Sequence, residues 1–270
     1  MDPRNYHTLP GISSHWLIEL LKSPAACWRK YLDPNRPIEQ PTNALRLGTL
    51  VHALALTPHQ LERSVIVTEY ERRSMAGKKR YTDLQASGLP VIRPAEFEKA
   101  RAIVAALKAN PEARRLLLYG KKERTIVQPR PGGLLPLKAR LDVHNENRRQ
   151  IVELKTTWSL ATAQTAMARY RYALSAAFYR DMVRGQHVVF VFVQSTPPYD
   201  VAVTPIDSPQ LQAGQDQWRT ALARFDNCWY SNDWPEAESE TLNDNSLMMD
   251  LMPTKATLQR FTPIVGELML

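Results

Sequence analysis

A chain of 270 residues with 44% apolar content has enough hydrocarbon for a substantial core, which excludes global disorder. Its formal charge of +8, from 35 basic against 27 acidic residues, favours a polyanionic partner without separating DNA from RNA or anionic lipid. Cys27 and Cys228 match no zinc spacing and cannot hold a four-cysteine cluster, the first residues, MDPRNYHTLPGISS, lack a signal peptide's apolar core, and no run approaches the roughly 18 apolar residues of a membrane span; reduced thiols in a cytoplasmic protein with no membrane partner are expected.

Residues 12–31 read as a helix. Ser13 or Ser14 is placed to cap it, and Trp16, Leu17, Leu20 and Leu21 form its stripe. Pro24 predicts a kink, or a second helix beginning at Ser23. Arg29 and Lys30, between Trp28 and Tyr31, suit either a phosphate-facing surface or a helix end with snorkelling cations. Residues 45–56 are a strongly apolar helix with His52 near its middle; Gly48, one turn earlier, predicts a close approach by another backbone or a ligand.

Further on, 61–70 is expected as a strand and 71–89 as an exposed, basic connection. Residues 94–108 form an amphipathic helix, with Pro94, Glu96 and Glu98 suited to its first turn. A strand begins near Glu123, and Pro131-Gly132-Gly133 turns into the next.

That next stretch is a hairpin of strands 137–144 and 150–154 around a polar turn. With the turn centred on Asn147 and Arg148, Asp142 falls opposite Glu153, their Cβ atoms about 5 Å apart. Alternation puts Lys155 on the same face and Leu154 in the core. Opposed carboxylates repel in an empty sheet but suit a hard divalent cation, Mg²⁺ or Mn²⁺, with the Leu154 carbonyl as a further ligand. A lysine beside such a metal positions water and stabilises charge on a phosphate, so the chemistry implied is phosphodiester hydrolysis. A solvated hairpin with a cross-strand salt bridge is the alternative. Glu123 adds a third acid, able to bind a second metal, orient water or stand idle at the surface.

After the hairpin, 162–184 reads as one long helix with Tyr172, Ser175 or Ala176, and Tyr179 on one face. The run 188–193, VVFVFV, predicts a strand buried on both faces, and 201–206 its neighbour across the Pro197-Pro198 turn. Residues 210–229 form a last amphipathic helix announced by Ser208 and Pro209. The tail beyond Trp234, acidic and then rich in methionine at Met248, Met249 and Met252, is expected as a C-terminal extension (235–270) of a single domain.

In this order the motifs GISSHWL, LGTLVHAL, RLD, VELKTT, YRYALSAAFYRD and VVFVFV resemble those of the λ exonuclease and exonuclease VIII group of the PD-(D/E)XK nucleases. The resemblance implies an α/β, restriction-endonuclease-like fold, a mixed central sheet flanked by helices. It further implies His52, Asp142, Glu153 and the Leu154 carbonyl as metal ligands, Lys155 as the catalytic lysine, Glu123 as the acid reaching a second metal or the water, and Tyr179 as a family tyrosine. Three positions depart from the pattern: Leu141 stands for a proline, Ser175 for a glutamine that contacts DNA, and His15 for a serine. The activity implied is Mg²⁺-dependent 5′→3′ digestion of double-stranded DNA by a homotrimeric ring working with a single-strand annealing protein in phage-type recombination. A RecB-like or structure-specific endonuclease and a non-catalytic DNA-binding module are the alternatives.

Overall fold

The computed structural model describes residues 6, 9–37 and 41–237. The chain divides into two units, Met1–Ala237 and Glu238–Leu270. The second lies outside the described residues, and so do the methionines expected in the tail.

The first element, α1 (Ser14–Lys22), ends where Ser23 turns extended, and the Ser23 hydroxyl accepts from the Ala26 amide to start α2 (Pro24–Tyr31). Pro24 therefore divides two helices. Thr42 caps α3 (Asn43–Leu56) by accepting from the Leu45 amide. The strand expected over 61–70 is cut to a 3₁₀ turn (Pro58–Arg63) and two-residue β1 (Ile66–Val67), which pairs in parallel with β2 (Val91–Ile92).

Between them the expected loop is instead a helix, α4 (Met75–Gln85), capped by Ser74. Its anchor is aromatic: Tyr81 is buried against Tyr70 with centroids 4.7 Å apart, and the Arg72 and Arg93 guanidinium groups lie over these rings. Lys78, Lys79 and Arg80, whose charge suggested a loop, lie exposed along it. Next come α5 (Pro94–Ala109) and α6 (Pro111–Leu118), separated by Asn110, whose side chain caps the second.

Five strands form the main sheet in the order β3 (Lys121–Gln128), β4 (Leu137–Asn145), β5 (Gln150–Thr157), β6 (His187–Gln194) and β7 (Val201–Pro205). Every neighbouring pair is antiparallel except β5 and β6. A parallel pair needs a crossover, and the chain makes it with α7 (Ala163–Arg169) and α8 (Tyr172–Val183). The single helix expected there is broken because Arg171 adopts a left-handed conformation. Last, α9 (Ser208–Ser231) is capped by Asp207 and crosses α8 where Gly214 lies so close that a Cβ would fall 2.1 Å from the Ala173 carbonyl oxygen.

Strand β6 shows why the sheet needs two cores. Phe190 and Phe192 pack with Leu17, Phe178 and Phe225 on one side, while Val189, Val191 and Val193 pack with Leu50, Ile103 and Leu107 on the other. The result is the mixed sheet with helices on both faces that the motifs implied, and it holds the β4–β5 hairpin between α3 and α8.

Candidate active site

The hairpin register is the one expected: Asn145 faces Gln150, His144 faces Ile151 and Val143 faces Val152. At the next position the main-chain ladder stops and side chains replace it. The Leu154 amide donates to Asp142 Oδ2 at 2.8 Å, and the Asp142 amide donates to Glu153 Oε1 at 3.4 Å. Each acid thus satisfies a backbone group of the opposite strand, and the strands part around buried carboxylates.

Strand β3 extends this row. Lys122 faces Val143 and Arg124 faces Leu141, so Glu123 lies between those pairs at the level of Asp142, with a positive φ of 48°. Arg140, two residues before Asp142, pairs with Glu123 at 2.9 Å. From α3, His52 Nε2 lies 2.9 Å from the Leu154 carbonyl, and its Nδ1 lies 3.3 Å from Asp142 Oδ1 and 3.9 Å from Glu123 Oε1. A Cβ at Gly48 would meet only Thr156 Oγ1, at 3.4 Å, so its partner in close approach is the end of β5. On the other side of Glu153, Lys155 Nζ donates to Glu153 Oε2 at 2.9 Å and stands 5.9 Å from the centre of the Tyr172 ring.

The charges set one another. Burial works against the His52 imidazolium, but Asp142 and Glu123 outweigh it and hold its pKa up at about 10. Burial likewise opposes ionisation of Asp142, yet the His52 and Lys155 cations bring it down to about 2. Glu153 goes the other way: burial and then the Asp142 charge push it up to about 7 against the pull of Lys155. Burial opposes the Lys155 ammonium too, but Glu153 and Asp142 keep it protonated above its ordinary range.

His52, Glu123 and Asp142 each offer a ligand atom, all within 4.8 Å of one another. Two hard carboxylates and an imidazole suit a divalent cation, and the proton His52 holds between the two acids occupies the place where such a charge belongs. Glu123, expected at the edge of the site, joins this triad, while both Glu153 oxygens are turned to Lys155 and the Asp142 amide.

Residues 13–243 match the family described as a PDDEXK-like domain of unknown function, DUF3799. The chain belongs to this family. No curated protein matches it. Among solved structures, a candidate exonuclease from Eubacterium rectale is 13% identical, with 97% of this chain and 96% of that one covered at a TM-score of 0.61, a likeness of fold. An alkaline exonuclease from Laribacter hongkongensis is 15% identical over 60% of this chain and 86% of its own, with a TM-score of 0.33. For a phage-related exonuclease from Haemophilus somnus the values are 12%, 60%, 91% and 0.32.

In this PDDEXK-like domain Leu141, next to Asp142, is wholly buried. Tyr172, Ser175, Tyr179, Arg29 and Lys30, the residues expected from the sequence to contact DNA, do not form one surface. Tyr172 stays beside Lys155. Ser175 and Tyr179 are buried on the inner face of α8, where the Tyr179 hydroxyl accepts from Ser14, so neither presents a surface to a partner. Arg29 pairs with exposed Glu236, and Lys30 lies 3.8 Å from Glu19.

Sequence reasoning missed Arg140 and Tyr6. The Arg140 guanidinium lies 5.3 Å from the centre of the Tyr6 ring, and burial pushes the Tyr6 hydroxyl up to about 12. Alternation from Asp142 was a usable signal for Arg140. Tyr6, more than a hundred residues away, carried none. Among the described residues no helix is long and apolar enough to cross a membrane.

Proposed function

We propose that this protein is a metal-dependent deoxyribonuclease acting as a 5′→3′ exonuclease on the ends of double-stranded DNA. The observation that carries the reading is the convergence of Glu123, Asp142, Glu153, His52 and Lys155 at the parted strands of one hairpin. The fold likeness to the candidate exonuclease of Eubacterium rectale over nearly the whole of both chains supports it. A net charge of +8 suits the polyanionic substrate.

Mg²⁺, with Mn²⁺ as its substitute, would be held by His52, Glu123 and Asp142 and would supply polarisation of the scissile phosphate and acidification of a water. The Lys155 ammonium, fixed by Glu153 and kept protonated, donates to the phosphate oxygen on which charge accumulates. Glu153, whose carboxylate lies between Lys155 Nζ and the Asp142 amide, is placed to take a proton from the attacking water. Arg140 holds Glu123 in place from outside the triad. Tyr172 closes the side of the site beneath the lysine.

The same reading gives the protein a cytoplasmic setting, a ring of three copies around duplex DNA, and a single-strand annealing protein that receives the exposed strand. Linear duplex labelled at the 5′ or the 3′ terminus tests it. With Mg²⁺ the 5′ label is released first and circular duplex stays intact, and chelator stops the release. Early release of the 3′ label overturns the polarity; cutting of circular duplex overturns the end requirement in favour of an endonuclease. Binding without hydrolysis in Mg²⁺ and Mn²⁺ overturns the enzyme.

A further inference from the structure

Beside the carboxylates, the segment Arg169-Tyr170-Arg171-Tyr172 is built in a way that a crossover helix does not require. Residues two apart on a helix point away from each other. Yet the rings of Tyr170 and Tyr172 are stacked, with centroids 5.9 Å apart and planes at 27°. They meet because Arg171 between them adopts φ 49° and ψ 48°, a left-handed conformation unfavourable for a residue with a Cβ. An unbroken helix from Ala163 to Val183 would have avoided that conformation and would have separated the rings.

The stack is graded from the site to solvent. Its inner ring, Tyr172, lies on Phe190 with centroids 5.2 Å apart and carries the Lys155 ammonium 5.9 Å from its centre. Its outer ring, Tyr170, is 53% exposed, with the Arg169 guanidinium 5.9 Å from its centroid. The sequence contains no acidic residue between Glu153 and Asp181. The half-exposed Tyr170 ring thus lies two contacts from the lysine, flanked in sequence by arginines and away from any acid of its own segment.

We propose that Tyr170 is the stacking platform for the base of an unpaired nucleotide at the DNA end being degraded, with Arg169 and Arg171 attracting the phosphates beside it. Every base has a π-face, so such a platform holds a strand without reading its sequence, as end digestion of any sequence requires. Because Tyr170 already rests on an anchored ring, an incoming base extends an existing stack with little further ordering. The assignment rests on the nuclease reading above, and its test has a readout that needs binding alone.

The probe is duplex DNA with a short unpaired 5′ end carrying 2-aminopurine as its terminal base. Lys155→Ala protein is used so that the DNA is not consumed. Saturating protein is expected to quench the fluorophore severalfold. The quench is lost when Tyr170→Ala is added and retained when Tyr170→Phe is added.

With Lys155 intact, Tyr170→Ala is expected to raise KM about tenfold while changing kcat less than twofold. An abasic terminal nucleotide raises the KM of the unaltered protein by a similar factor and leaves the Tyr170→Ala protein indifferent. A quench that survives Tyr170→Ala, or an unchanged KM, overturns the proposal, as does failure of the protein to bind the DNA. A quench that follows this pattern in a protein that never hydrolyses DNA overturns the nuclease reading alone. Thermal melting of each variant guards against misfolding, and an exposed ring predicts a small change.

Discussion

The two edges of strand β5 are built differently. Toward β6 its pairing runs unbroken for eight residues, from Gln150 opposite His187 to Thr157 opposite Gln194, and the sheet there is covered by hydrocarbon on both faces. Toward β4 the pairing holds for three residues and then gives way to carboxylates that bond the backbone in place of the ladder. One edge supplies rigidity and the other spends it. A site that gathers three acids, a histidine and a lysine is costly to bury, and the intact β5–β6 edge holds those groups together despite the repulsion among them.

Lys155→Ala breaks this contrast most strongly. It should lower hydrolysis at least about a hundredfold while DNA binding and fold persist, because the ammonium acts on charge that develops in the transition state. End-label release read beside a binding titration checks this; near-normal turnover would remove the lysine from the chemistry. Val191→Ala acts on the other edge. Val191 is fully buried in β6, and its truncation should cost about 2 kcal/mol and lower Tm by about 5 °C, with activity per folded molecule retained. Melting curves and active-site-normalised rates separate the two outcomes.

Smaller, and specific to the charged edge, is a pH effect on the metal-free protein. His52 has its pKa raised to about 10, so its stabilisation is complete below its ordinary value of 6.5 and is lost as pH rises through 10. Glu153, raised from 4.5 to about 7, also favours the folded form in its protonated state, and that contribution is lost as pH rises through 7. Asp142, lowered to about 2, stabilises above its ordinary 3.8 and loses that only as pH falls through 2. From pH 5 to 10 these groups together should lower the Tm in chelator. Mg²⁺ in place of the His52 proton offsets the loss, so the Tm gap between Mg²⁺ and chelator should widen as pH rises. A gap independent of pH would show that metal binding displaces no proton from this triad.

The chain's own order of residues determined the hairpin register, and with it the opposition of Asp142 and Glu153, because alternation and the position of a polar turn are local facts. It also determined the two-sided burial of β6, since an unbroken β-branched and aromatic run has no polar face. Other features lay beyond it. The helix over 75–85 looked like a loop because its anchoring ring pair involves Tyr70 from outside the segment. The break at Arg171 has no glycine to announce it. Glu123 joins His52 and Asp142 only because β3 brings it to the level where β4 and β5 part, and Arg140 acquires a role only through that neighbour. Local rules decide which way a side chain points along its strand; which strands meet, and where their pairing is surrendered to charge, is decided by packing across the whole sheet.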